Sequence, residues 1–166
     1  MSDNETARRS PAAQLRAMSQ QWPDFEGEKL PDGTLLWTGP LMPKAQLYVV
    51  SVLWRPGAML LPYVVVREPK IRPREGGSFD EVPHLLFLQD DPERSGLCLF
   101  DPEGREWSPA DLIADTTVPW ASEWLFYYEL WHLTGEWLAP SVGYESVARM
   151  NAADSRTVKE MLENVH

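Results

Sequence analysis

The chain has 166 residues and a mass of 19.0 kDa, with 43% hydrophobic and 24% charged residues, ordinary globular usage that excludes a fibrous repeat or an extensively disordered chain. Its formal net charge of −10 argues against general binding to nucleic-acid phosphates, which takes a basic face, and is accounted for by solubility. No apolar run approaches the roughly 18 residues that span a bilayer, and the opening MSDNETARRS lacks the apolar stretch of a secretory signal, so a soluble cytoplasmic protein is expected.

The length suits one domain over 1–166, with a core at about 11–138 and a C-terminal extension at 139–166 that carries a helix. Ser10 followed by Pro11 reads as an N-cap and first helical position, leading into Ala12, Leu15 and Met18 at helical spacing. This helix should end before Pro23. Pro31-Asp32-Gly33 is a turn. Three apolar segments follow at 34–37, 46–54 and 60–66, separated by Gly39-Pro40 with Pro43 and by Pro56-Gly57, which suggests an antiparallel meander.

Residues 68–83 hold three prolines and the pair Gly76-Gly77 and read as an irregular loop. A short apolar run, 84–88, is followed by a polar turn over 90–96 that delivers the chain to Leu97-Cys98-Leu99-Phe100. Ser108-Pro109-Ala110-Asp111 is a capping box predicting a short helix that stops near Thr117, ahead of Pro119. From Pro119 a second helix places Trp120, Trp124, Tyr127, Tyr128 and Trp131 on one aromatic face, a pattern of core packing, with Gly135 as stop signal. A last helix over about 155–164 is supported by Val158, Met161 and Leu162. Strands grouped before helices predict an α+β fold of an N-terminal helix, an antiparallel meander sheet of about four strands, and C-terminal helices.

Cys98 is the sole cysteine, so no intramolecular disulfide can form and a free thiol needs an explanation. Between two leucines a cysteine is often inert core filler. Here Gly96 and the polar turn precede it and Asp101-Pro102-Glu103-Gly104 breaks the chain just after it, which sets the thiol near a loop edge where access is expected. His84, His132 and His166 form no CxxC, HxxH or HExxH spacing, so no metal is expected. Gly76-Gly77 lacks the strand-to-helix context and lysine of a P-loop, so no nucleotide cofactor is expected either. Cysteine hydrolysis, with His132 as base and Glu129 or Glu136 as orienter, has no signature sequence behind it.

Leu36-Trp37-Thr38-Gly39-Pro40 with Tyr48-Val49-Val50, and Arg55-Pro56-Gly57 through Pro62-Tyr63-Val64, resemble the strand pattern of ubiquitin-conjugating enzymes. Gly96-Leu97-Cys98-Leu99, followed nine positions beyond the cysteine by Trp107-Ser108-Pro109-Ala110 and Ile113, resembles that family's catalytic-cysteine segment. The resemblance covers about residues 11–117. The tryptophan-rich stretch from Thr117 to Trp137 is similar to a bacterial branch found in antiphage defence operons such as CBASS, including those with cGAS-like nucleotidyltransferases. It implies a ubiquitin-conjugating-like fold and a cysteine-dependent acyl transferase. Cys98 would carry the C-terminal carboxyl of a modifier protein as a thioester and pass it to an acceptor amine on a target protein. The modifier would be a cGAS-like nucleotidyltransferase or a ubiquitin-like protein, and an activating enzyme would supply it.

Two positions depart from the eukaryotic pattern. The family's His-Pro-Asn tripeptide is absent: His84 stands fourteen residues before Cys98 and is followed by Leu85 and Leu86, so no asparagine supports the oxyanion, and main-chain amides over 95–99 are the expected substitutes. His84 itself is read either as a proton-transfer group or as a side chain bonded to the loop backbone. The acidic residue that guides the incoming lysine has no motif, and Asp101, with Asp90 and Asp91, is a candidate by proximity. The alternative to catalysis is a binding module of the same fold with a structural Cys98 and a partner docked on the tryptophan-rich segment.

Overall fold

The computed structural model describes residues 8–100, 107–139 and 156–163, together with the main chain of 147–148 and 152–155. Helix α1 (Pro11–Gln21) starts as its sequence dictates, the Ser10 hydroxyl accepting the Ala13 amide at 3.1 Å with Pro11 in the first turn. It ends at Gln21, two residues before Pro23, and the Trp22 amide closes onto the Met18 carbonyl at 2.8 Å.

Strands β1 (Glu26–Lys29), β2 (Leu35–Leu41), β3 (Tyr48–Trp54) and β4 (Tyr63–Glu68) pair in chain order as an antiparallel meander. On one face of β3, Tyr48 meets Tyr128 and Trp54 meets Trp107, while on the other the Ser51 hydroxyl is 2.8 Å from that of Thr38. This is period-2 geometry with both faces covered. β1 has no apolar residue, and all four of its positions are exposed, so alternation gives no signal for it.

The expected break at Gly39-Pro40 is not a break: β2 runs through both residues to Leu41. Two causes are visible. A Cβ at Gly39 would lie 2.5 Å from the Phe25 ring, so glycine is there to admit that ring. β1 stops pairing at Thr38, so Pro40 lies where one edge of β2 is open and a missing amide is tolerated.

A second, smaller sheet has β5 (Leu85–Leu86) in the centre, antiparallel to β6 (Gly96–Leu97) and parallel to β7 (Val147–Ala148). The short helix expected after Ser108 does not form, although its first contacts do: the Ser108 hydroxyl accepts from the Ala110 amide and the Asp111 carboxylate from the Ser108 amide. Competition from the N-terminal region explains the difference. Arg9 donates its amide to the Pro109 carbonyl and its guanidinium to that of Ala110, and the Gln14 side chain takes both the Ile113 amide and the Asp111 carbonyl. An α-helix would need Ile113 bonded to Pro109.

Helix α2 (Thr117–Thr134) therefore starts two residues earlier than expected, with Pro119 inside its first turn, where proline leaves no bond unmade. Thr117, Val118, Ala121, Trp124, Leu125, Tyr128 and Trp131 are all buried, so the helix is covered on more than one side. Gly135 ends it in the left-handed conformation, at φ 81°. Helix α3 (Ala152–Glu163) adds Val158, Met161 and Leu162 to the core formed by the sheet and α2.

Candidate active site

Cys98 follows directly on β6, and the antiparallel register that pairs Leu85 with Leu97 sets His84 opposite it. Fourteen residues apart in sequence, the two are joined by a main-chain bond from the Cys98 amide to the His84 carbonyl at 2.9 Å. The same carbonyl accepts the indole N–H of Trp124, also at 2.9 Å. One oxygen thus ties the end of β6 to α2.

His84 holds this carbonyl from a left-handed backbone conformation, φ 50°, the sole non-glycine residue with positive φ among those described. Such a conformation costs about 1–2 kcal/mol and persists where the surroundings fix it. The imidazole packs on Trp137, with ring centroids 5.3 Å apart, and Trp137 in turn lies 5.2 Å from Trp124. Burial pushes the His84 imidazole below its ordinary pKa, favouring the neutral ring.

Ready access to the thiol is not what the fold presents. Cys98 is 6% exposed, because its Sγ turns inward and donates to the Phe100 carbonyl at 3.5 Å. That bond exists only while sulfur carries its proton, so it is given up when sulfur attacks. Phe100 is itself buried, between Trp107 and Trp120. A glycine before Leu97 has a steric reason, since a Cβ at Gly96 would lie 2.3 Å from the buried Tyr63 ring.

A family model described as Type II CBASS E2 protein matches residues 14–144, more than half of the chain. The chain belongs to this family. No curated protein matches the sequence. Its α+β architecture, with an N-terminal helix, a four-stranded antiparallel sheet and C-terminal helices, is the E2-like fold, and its setting is antiviral CBASS defence.

The other residues singled out by sequence are placed as follows relative to Cys98. Trp107 is a packing residue, buried edge-on against Trp54 with its indole N–H on the Thr116 hydroxyl at 3.1 Å. Asp101 lies outside the described residues. Asp90 pairs with Lys159 on α3 at 3.1 Å, and Asp91 with Arg94 within the turn at 3.4 Å, so each carboxylate is held by a cation of its own.

His132 is eight residues beyond Trp124 on α2, about 12 Å along the helix axis, and its ring nitrogen bonds the Arg72 carbonyl at 3.1 Å. Glu129 accepts the Gln46 amide at 3.0 Å. These contacts commit both groups to bracing the loops beside α2, away from the helix turn that meets His84. Of the amides over 95–99, that of Ser95 donates to the Pro92 carbonyl and that of Cys98 to His84. The alternation of β6 turns the Leu97 amide to the opposite edge from that of Cys98. Among the described residues no group of histidine, cysteine, aspartate and glutamate is arranged to hold a metal ion, and no helix is long and apolar enough to cross a membrane.

Sequence reasoning missed Trp124 and Trp137 as neighbours of His84. Trp124 stands in the aromatic stripe of α2 and Trp137 beyond its Gly135 stop, and nothing in the sequence distinguishes a carbonyl-binding indole from a packing one.

Proposed function

We propose that this E2 protein is a cysteine-dependent acyl transferase in which Cys98 carries the C-terminal carboxyl group of a partner protein and passes it to an amine. The observation that supports the reading is the position of the sole thiol: it follows a glycine-bearing strand end, opposite a histidine, in a chain of the E2 family.

In the first step the Cys98 sulfur, its proton removed, attacks the activated carbonyl carbon of the partner. A C–S bond forms and the activating group leaves with its electron pair. In the second step an amine attacks the thioester: a C–N bond forms, the C–S bond breaks, and sulfur departs as thiolate and is reprotonated. The amine must lose a proton, since at a pKa of about 10.4 a lysine is almost fully protonated near neutral pH. Asp101 is the carboxylate that would take it, by its position three residues after the cysteine. With Leu85 and Leu86 following His84 in place of the family's proline and asparagine, main-chain amides over 95–99 would steady the oxyanion, a contribution of about 3–4 kcal/mol in comparable sites. Because Cys98 is buried, binding of the partner must uncover the sulfur.

The partner in this reading is a cGAS-like nucleotidyltransferase or a ubiquitin-like protein, delivered by an activating enzyme. Incubation with the partner and its activating enzyme should give a higher-mass species that thiol reductants remove and that free lysine or hydroxylamine discharges. Absence of any such species with every candidate partner would reject the reading.

Burial of the thiol favours a second reading, a binding module that keeps the fold without the chemistry. Alkylation separates the two. Labelling of Cys98 that needs denaturant, and is not accelerated by the partner, would select the binding module.

A further inference from the structure

We propose that Trp124 is a positioning residue for Cys98, acting through the His84 carbonyl. The inference deepens the transfer reading and rests on it only for its effect on turnover. Two donors, the Cys98 amide and the Trp124 indole, converge on one oxygen at the same distance of 2.9 Å. That oxygen belongs to a residue at positive φ, a conformation that few non-glycine residues adopt although histidine does so more often than most. Trp124 reaches it from outside the β5–β6 ladder. It is buried, stacked on Tyr128 at 5.4 Å and 17°, and packed against Trp137, which also covers the His84 ring.

Without the indole donor, His84 is free to relax toward extended geometry. Its carbonyl then swings, and the end of β6 that carries the sulfur loses its fixed place relative to α2. Leu85 and Leu86 follow His84 where the eukaryotic tripeptide has its proline and asparagine, and the Trp124 indole is a side-chain donor on the His84 carbonyl. The His84 side chain is not required for this role; its main chain is.

Trp124→Phe removes the N–H while retaining a flat aromatic side chain for both stacks. Cys98 is the sole cysteine, so iodoacetamide reads its surroundings with no partner present. In native buffer, well below the unfolding midpoint, Trp124→Phe should be alkylated about tenfold faster than the unsubstituted protein, as expected for the loss of one buried hydrogen bond. His84→Gly, which keeps the carbonyl and accepts positive φ, should stay within about threefold of the unsubstituted protein. Val50→Ala, a core truncation in the middle of β3, controls for general loss of stability and should leave the rate within about twofold.

An unchanged rate in Trp124→Phe, or an equal rise in Val50→Ala, would overturn the inference. With a partner that charges the protein, Trp124→Phe should also lower turnover at saturating partner about tenfold with KM unchanged. Failure of the unsubstituted protein to charge would count against the transfer reading alone, because the alkylation result stands without it.

Discussion

Gln14 and Ile113, ninety-nine residues apart, are joined by a bond from the Ile113 amide to the Gln14 side-chain oxygen at 2.9 Å, while the other end of that side chain donates to the Asp111 carbonyl at 2.9 Å. Gln14 is 0% exposed, so one amide side chain satisfies two main-chain groups with no water within reach. It fastens α1 to the segment that leads into α2. Gln14→Leu leaves both groups without a partner, and each orphaned group costs about 1–3 kcal/mol. A loss of about 2–5 kcal/mol in unfolding free energy by urea titration is expected.

At Gly96 the constraint is steric. The Tyr63 ring is buried and its hydroxyl donates to the Arg94 carbonyl at 2.5 Å, so it cannot move away from an added methyl group without breaking that bond. Gly96→Ala should cost about 1–3 kcal/mol, as overpacking does, and should change the rate at which Cys98 is alkylated, because β6 must shift. Thermal unfolding and labelling kinetics on the same preparation test both parts.

Much of this arrangement is legible in the sequence and some is not. Ser10-Pro11 and Gly135 mark real helix ends because capping is local chemistry. The apolar runs that become β3 and β4 and the Gly96-Leu97-Cys98 segment are likewise local patterns. Gly39-Pro40 misleads because the ring that packs on Gly39 belongs to Phe25, and the helix expected after Ser108 fails because Arg9 and Gln14, near the other end of the chain, take its main-chain partners. The bond between Trp124 and His84 has no sequence signal for the same reason: it is decided by which residues meet in space.

The histidines make stability depend on pH in a defined direction. Burial holds both His84 and His132 below the ordinary imidazole pKa in the fold, whereas in the unfolded chain they take up protons at about pH 6.5. Below that pH the unfolded state binds more protons, so stability rises with pH across this window and falls as the pH drops through it. Asp32 adds a separate step. Its carboxyl is held below the usual range by the Thr34 amide and hydroxyl, with Arg55 assisting, so its contribution is present above about pH 4 and is lost as the pH falls through its lowered value. Urea midpoints should decline from pH 7.5 to 5, and His132→Gln should flatten that decline.

The most direct measurement of the central claim is the intact mass of the Cys98→Ser protein after incubation with the partner and its activating enzyme. The unsubstituted protein should form an adduct that reductant removes. Cys98→Ser should form none, or an ester that resists reductant. A reductant-sensitive adduct that persists in Cys98→Ser would contradict the account, since the chain has no other thiol to carry it.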